Sequence, residues 1–163
     1  MTQIGYGLAT VAHSGCGAIA TYNALLSAGE LVTFGEVVQY YNEHWSELFV
    51  LGYLGTPPHL VIEFFEDRGY TVITTMDMNQ IDLYSQYADA CILWYAFSVE
   101  KNFHGIEYNA LGAHFVEYSK VGDEYVVRNT SGIDGMSNHN SPSEFMDSPE
   151  TNRFCPFGIF IVK

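Results

Sequence analysis

Apolar positions recur three and four residues apart through the first 69 residues, and afterwards they fall in short runs or alternate with polar ones. The first pattern predicts helices and the second predicts strands. A helix is expected from Ser14, acting as N-cap, through Ala18, Ala20, Ala24 and Leu25, with Gly29 closing it. Thr33 opens a second helix carrying Val37, Val38, Tyr41 and Trp45. Leu51 to Gly55 reads as a loop. Thr56-Pro57-Pro58 then caps a third helix, with Leu60, Ile62, Phe64 and Phe65, that stops at Gly69. Tyr70 to Thr75 is rich in β-branched residues and predicts a strand, and Met78 to Tyr87 a short helix. Strands follow at Cys91–Ser98, Ala113–Lys120 and Tyr125–Asn129, the last two joined as a hairpin by Val121-Gly122-Asp123-Glu124. The Ser/Asn/Asp/Gly-rich stretch 130–149 reads as loop with one turn of helix near Ser143–Met146, and Phe157–Val162 as a closing strand. Helices first and an antiparallel sheet second give an α+β fold, expected as a single domain over 1–163.

Composition narrows the partners. Of 163 residues 48% are hydrophobic and 15% charged, which points to a packed interior. Six basic against 19 acidic residues give a net charge of −13, a surface that repels phosphate backbones and anionic membranes. Nucleic acid is excluded on that ground. A peptide or protein substrate fits better. The N-terminus has neither a basic region nor an apolar run and no stretch is long enough to span a bilayer, so a soluble cytoplasmic protein is expected.

Cys16, Cys91 and Cys155 form an odd set without metal-ligand spacing and without a Cys-x-x-Cys pair. Free thiols are the expectation, with a Cys91–Cys155 disulfide as the alternative, and neither a metal nor a cofactor is called for. Cys16 differs from the others by lying between Gly15 and Gly17 in the first turn of a helix, where unpaired N–H groups favour a thiolate. The two glycines read as room for an approaching substrate. A simple packing role is the competing interpretation of the same thiol.

A nucleophilic thiol needs a base. Of six histidines, His114 in Gly112-Ala113-His114-Phe115-Val116 alone opens an apolar strand, where a side chain is held rigidly. Across the hairpin, Asn129 ends the partner strand, close enough to accept from the far ring nitrogen of His114 and fix its tautomer. Cys16, His114 and Asn129 then form a nucleophile, a base and an orienting group.

This order, a Gly-Cys-Gly helix start followed by a Gly-Ala-His-Phe-Val strand and an Asn at the end of the next strand, resembles the papain-like cysteine peptidase superfamily. In outline it is similar to the bacterial branch that trims leader peptides from secreted peptides. The resemblance implies a papain-like fold with the Cys16 helix against the sheet. It also implies a Cys16–His114–Asn129 triad, and a substrate running past Gly15, Gly17 and Ala113. The family places an oxyanion-hole side chain, usually Gln, about six residues before the Cys. Thr10 stands there, so the implied oxyanion donors are the Cys16 backbone N–H and Thr10. A papain-like module that binds a peptide without cleaving it is the alternative function.

Overall fold

The computed structural model describes residues 4–52, 55–130, 135–147 and 152–163. A two-stranded ribbon, β1 (Gly5–Tyr6) and β2 (Ala9–Thr10), leads into a single helical turn, α1 (Val11–Ser14), and then into α2 (Cys16–Ser27). Helices α3 (Phe34–Glu43) and α4 (Pro58–Glu66) follow, with a turn at Phe49–Gly52 between them in which Val50 and Leu51 are left-handed. After β3 (Thr71–Thr75) and α5 (Met78–Tyr84) come the long strands β4 (Ala90–Phe103) and β5 (Ile106–Val121). The chain closes with β6 (Glu124–Arg128), β7 (Met136–His139), α6 (Pro142–Met146) and β8 (Asn152–Val162). The expected loop positions 53–54, 131–134 and 148–149 lie outside the described residues.

The capping chemistry explains where the helices begin, and it corrects two expectations. Thr33 caps α3 as expected, in a reciprocal box with Glu36. Ser14 does not cap α2. Its hydroxyl donates to the Gly52 carbonyl at 2.5 Å, and Gly15 occupies the cap position instead. Thr56 does not cap α4 either; it is buried and hydrogen-bonded to the Tyr6 hydroxyl, and Pro57 precedes the helix. Trp45 falls beyond the end of α3 and is exposed.

The main sheet has six strands in the order β3-β8-β4-β5-β6-β7, and its pairs are antiparallel. Alternation along β4, β5 and β8 sends Ile92, Phe115, Ile159 and Ile161 to one core, shared with α2, α3 and α4. Leu93, Tyr95, Val116, Tyr118 and Phe160 go to a second core with Ile81 of α5 and Phe145 of α6. The α+β expectation therefore holds as helices packed on an antiparallel sheet. Three things extend it: β4 and β5 run on as a hairpin arm to a turn at His104-Gly105, β7 lies in the stretch read as loop, and β8 starts earlier than expected.

Candidate active site

Helix α2 brings Cys16 to the sheet. The small side chains of Ala18, Ala20 and Ala24 are fully buried and let the helix lie close to β5, so its first residue sits beside Phe115. Asn129 fixes that approach. Its Nδ2 donates to the Cys16 carbonyl at 3.1 Å and to the Phe115 carbonyl at 2.7 Å, bridging the start of α2 to the strand that carries His114.

His114 faces Tyr95 across the β4–β5 ladder, their ring centroids 6.0 Å apart. Its Nε2 lies 2.5 Å from the main-chain carbonyl oxygen of Asn129. A carbonyl only accepts, so Nε2 carries the proton and a neutral ring keeps its lone pair on Nδ1. The expected orienting contact is therefore present with a different acceptor. The Asn129 backbone holds the imidazole, and the Asn129 amide, expected to accept from the ring, donates to two carbonyls elsewhere. Asn129 achieves both tasks just past β6 with a φ of 70°.

Cys16, His114 and Asn129 line one cleft of about 430 Å³, together with Gly15, Ala113 and Gly112. Val11, Ala12 and His13 of α1 line it as well. Phe97 also lines it, and its ring lies across Gly112, where a Cβ would come within 2.5 Å of Cζ. Of the residues expected to contact substrate, Gly15 and Ala113 lie on this cleft and Gly17 does not. Gly17 is buried against Thr56, and a Cβ there would sit 2.3 Å from Oγ1. Its missing side chain makes room for a neighbour inside the protein. Thr10, at the end of β2, is outside the lining residues, so the expected Thr10 hydroxyl is not part of the cleft. Phe97, Gly112 and the α1 residues were not anticipated. The one available signal was Gly112, two residues before His114 on the same strand face.

The electrostatics of the resting site also differ from expectation. Burial pushes the Cys16 thiol up, against the downward pull of the N–H groups of Phe115, Gly17 and Cys16 itself. Burial holds His114 down; the Asn129 carbonyl opposes this and the Arg153 charge adds to it. Both groups are thus biased toward their neutral forms, and the low-pKa thiolate expected at a helix start is not favoured here. Cys91 is buried and its thiol is pushed up as well, mainly by burial and then by the Glu117 charge. Cys155 is exposed, and Cys91 and Cys155 are free thiols. Among the described residues, no group of three or more His, Cys, Asp or Glu is placed to hold a metal, and no helix is long and apolar enough to cross a membrane.

In comparisons with known proteins, no family model matches the chain and no curated protein matches it in sequence.

Proposed function

We propose that the chain is a papain-like cysteine peptidase that hydrolyses a peptide or related amide bond. The observation that carries this reading is that Cys16 and His114 share one cleft while the Asn129 carbonyl holds His114 Nε2, leaving Nδ1 to act as base. Nδ1 takes the Cys16 proton as the sulfur attacks the substrate carbonyl carbon. The C=O π pair moves to oxygen, where the Cys16 N–H donates to it. Collapse of the tetrahedral adduct breaks the C–N bond, and His114 returns the proton to the departing amine. Water, deprotonated by Nδ1, then cleaves the thioester and regenerates the thiol. No step needs a metal or a redox partner.

A peptide-binding module without turnover is the second reading. It is favoured by the upward shift of the Cys16 thiol and by the position of Thr10 away from the cleft. A short-peptide library with a C-terminal reporter separates the two. Turnover that disappears in Cys16→Ala and falls by several orders of magnitude in His114→Ala supports the peptidase. Peptide binding with no turnover supports the module.

A further inference from the structure

The candidate cleft adjoins a second cavity of about 300 Å³, and Phe97, His114 and Asn129 line both. Its own walls are Tyr95, Val99, Thr130 and Arg153. Among the described residues the lining is therefore mostly apolar, with one cation and no carboxylate.

That cation is there because of a bulge. Along β4 and β8, Trp94 pairs with Phe157 and Ala96 with Phe154, so β8 has one residue more than β4 over this stretch. The extra residue is taken up around Cys155, whose φ is 50°. Beyond the bulge Phe97 pairs with Arg153, and residues directly opposite share a face. Unbroken register would have paired Phe154 with Phe97 and put a second phenyl ring in the cavity. The guanidinium is also fixed before any ligand arrives. Its carbon lies 4.1 Å from the Phe145 ring centroid and 5.6 Å from that of Tyr95, and Nη1 donates to the Phe145 carbonyl. Among the described residues Arg153 makes no ion pair, and its Nε is buried without a hydrogen-bond partner. Arg128, by contrast, is paired with Glu117.

We infer that this cavity is a carboxylate-selective subsite of the cleft, one that takes a short apolar stem ending in a carboxylate on Arg153. Two sources carry that group in a peptide: a Glu side chain near the bond in the cleft, or the free C-terminus. The remainder of such a peptide is neutral or basic, because a net charge of −13 repels a strongly acidic one. The inference rests on the peptide-cleft reading, and it names the substrate feature that reading leaves open.

The test uses the full chain as Cys16→Ala, so that binding is read without turnover. Fluorescein-labelled octapeptides, otherwise neutral, carry Glu or Gln at each position in turn and end in a carboxylate or an amide. Anisotropy is expected to show one Glu position, or the free C-terminus, binding about 10- to 100-fold tighter than its neutral counterpart, the range of a charge-assisted hydrogen bond. Arg153→Met is expected to bring that ratio within about twofold. If Arg153→Met does not fold, Arg153→Lys keeps the charge without the planar fork, and the ratio is expected to fall several-fold. Absence of any carboxylate preference in the folded protein, including failure of every carboxylate peptide to bind, overturns the subsite. So does a preference unchanged in the Arg153 variant. Turnover is scored separately in the protein with Cys16 intact. Carboxylate-selective binding without turnover sinks the peptidase and keeps the subsite, and Cys16-dependent turnover without charge preference does the reverse.

Discussion

Asn129 is the residue on which the site converges, and its φ of 70° is a conformation usually left to glycine. The strain is offset by what the amide does there, since its two donations hold the Cys16 and Phe115 carbonyls together. Asn129→Ala keeps the carbonyl that orients His114 but loses both bonds and meets the strain. It is expected to cost about 2–4 kcal/mol of stability. Asn129→Gly loses the same bonds and relieves the backbone, so it is expected to recover about 1 kcal/mol of that cost. Denaturant titration of the two variants checks the order, and equal losses would show that the backbone is not strained. The same bonds position the reacting pair, so turnover is expected to fall about 10- to 100-fold in both. Titration of the pair follows from the shifts. With the Cys16 thiol pushed up by burial, its alkylation by iodoacetamide is expected to be slow near pH 6 and still climbing at pH 9, where an ordinary thiol is half ionised. With His114 held down by burial, the base stays neutral below the ordinary imidazole range, and the acid limb of turnover moves down with it. Mass-spectrometric mapping from pH 6 to 10 checks the first, and a rate at pH 6 equal to that at pH 8 would indicate a thiolate–imidazolium pair instead. Exposed Cys155 supplies the accessible comparison and buried Cys91 the protected one.

At the scale of elements, one buried carboxylate ties together three of them. Glu117 of β5 is fully buried, accepting from Ser27 at the end of α2 at 2.7 Å and from Arg128 of β6 at 2.6 Å. Burial raises its pKa, and the Ser27 and Arg128 contacts pull it back down. Arg128→Ala removes part of that pull and leaves the charge with less compensation. The variant is expected to lose about 3–5 kcal/mol at pH 7.5. A folded pKa above the unfolded one means stability lost as pH rises through the folded value. The deficit is therefore expected to shrink toward pH 4.5, as Glu117 takes up its proton. Urea titrations at the two pH values check this, and an equal deficit at both would assign Arg128 a packing role only. These elements were legible in the sequence to different degrees, for physical reasons. Helix α3 announced itself by Thr33 and the apolar spacing after it, and the β5–β6 hairpin by Gly122. His114 and Asn129 were legible as neighbours, because the Gly122 turn sets their pairing, and the Cys16 helix was expected beside them from the resemblance. The atom of Asn129 that accepts from His114 was not, since a backbone carbonyl is present at every residue and carries no sequence signature. Strand β7, Met-Ser-Asn-His, has turn-forming residues and is a strand only because β6 pairs with it. Arg153 was hidden by a bulge that changes which side chains face the cavity.

For the whole molecule, the sheet divides the chain into two cores, and the site sits where β4 and β5 leave both of them. Beyond that point the two strands continue as an arm whose pairing runs out to Phe103 opposite Ile106. Phe103 and Tyr108 on it are exposed, and none of the described side chains between 101 and 108 belongs to either core. Such an arm was poorly legible because neither face is buried, so no alternation of polar and apolar positions marks it. The energetic consequence is testable. The native two-residue turn closes at Phe103–Ile106, and because hydrogen-bonded pairs alternate along the ladder, Lys101–Tyr108 is the next of that kind. Replacing the six residues Asn102–Glu107 with Asn-Gly therefore keeps a favoured two-residue turn. The site residues Phe97, Val99, Gly112 and His114 all lie on the core side of that cut. Little apolar surface is removed from a buried environment, so stability is expected to stay within about 1 kcal/mol of the parent. Short-peptide turnover or binding is expected to be unchanged, because the cleft is built from what remains. Thermal melts and the peptide assays decide the matter together. A large loss of stability would mean that the arm props the sheet. A fold left intact with peptide binding lost would place the arm over the cleft as part of the substrate path.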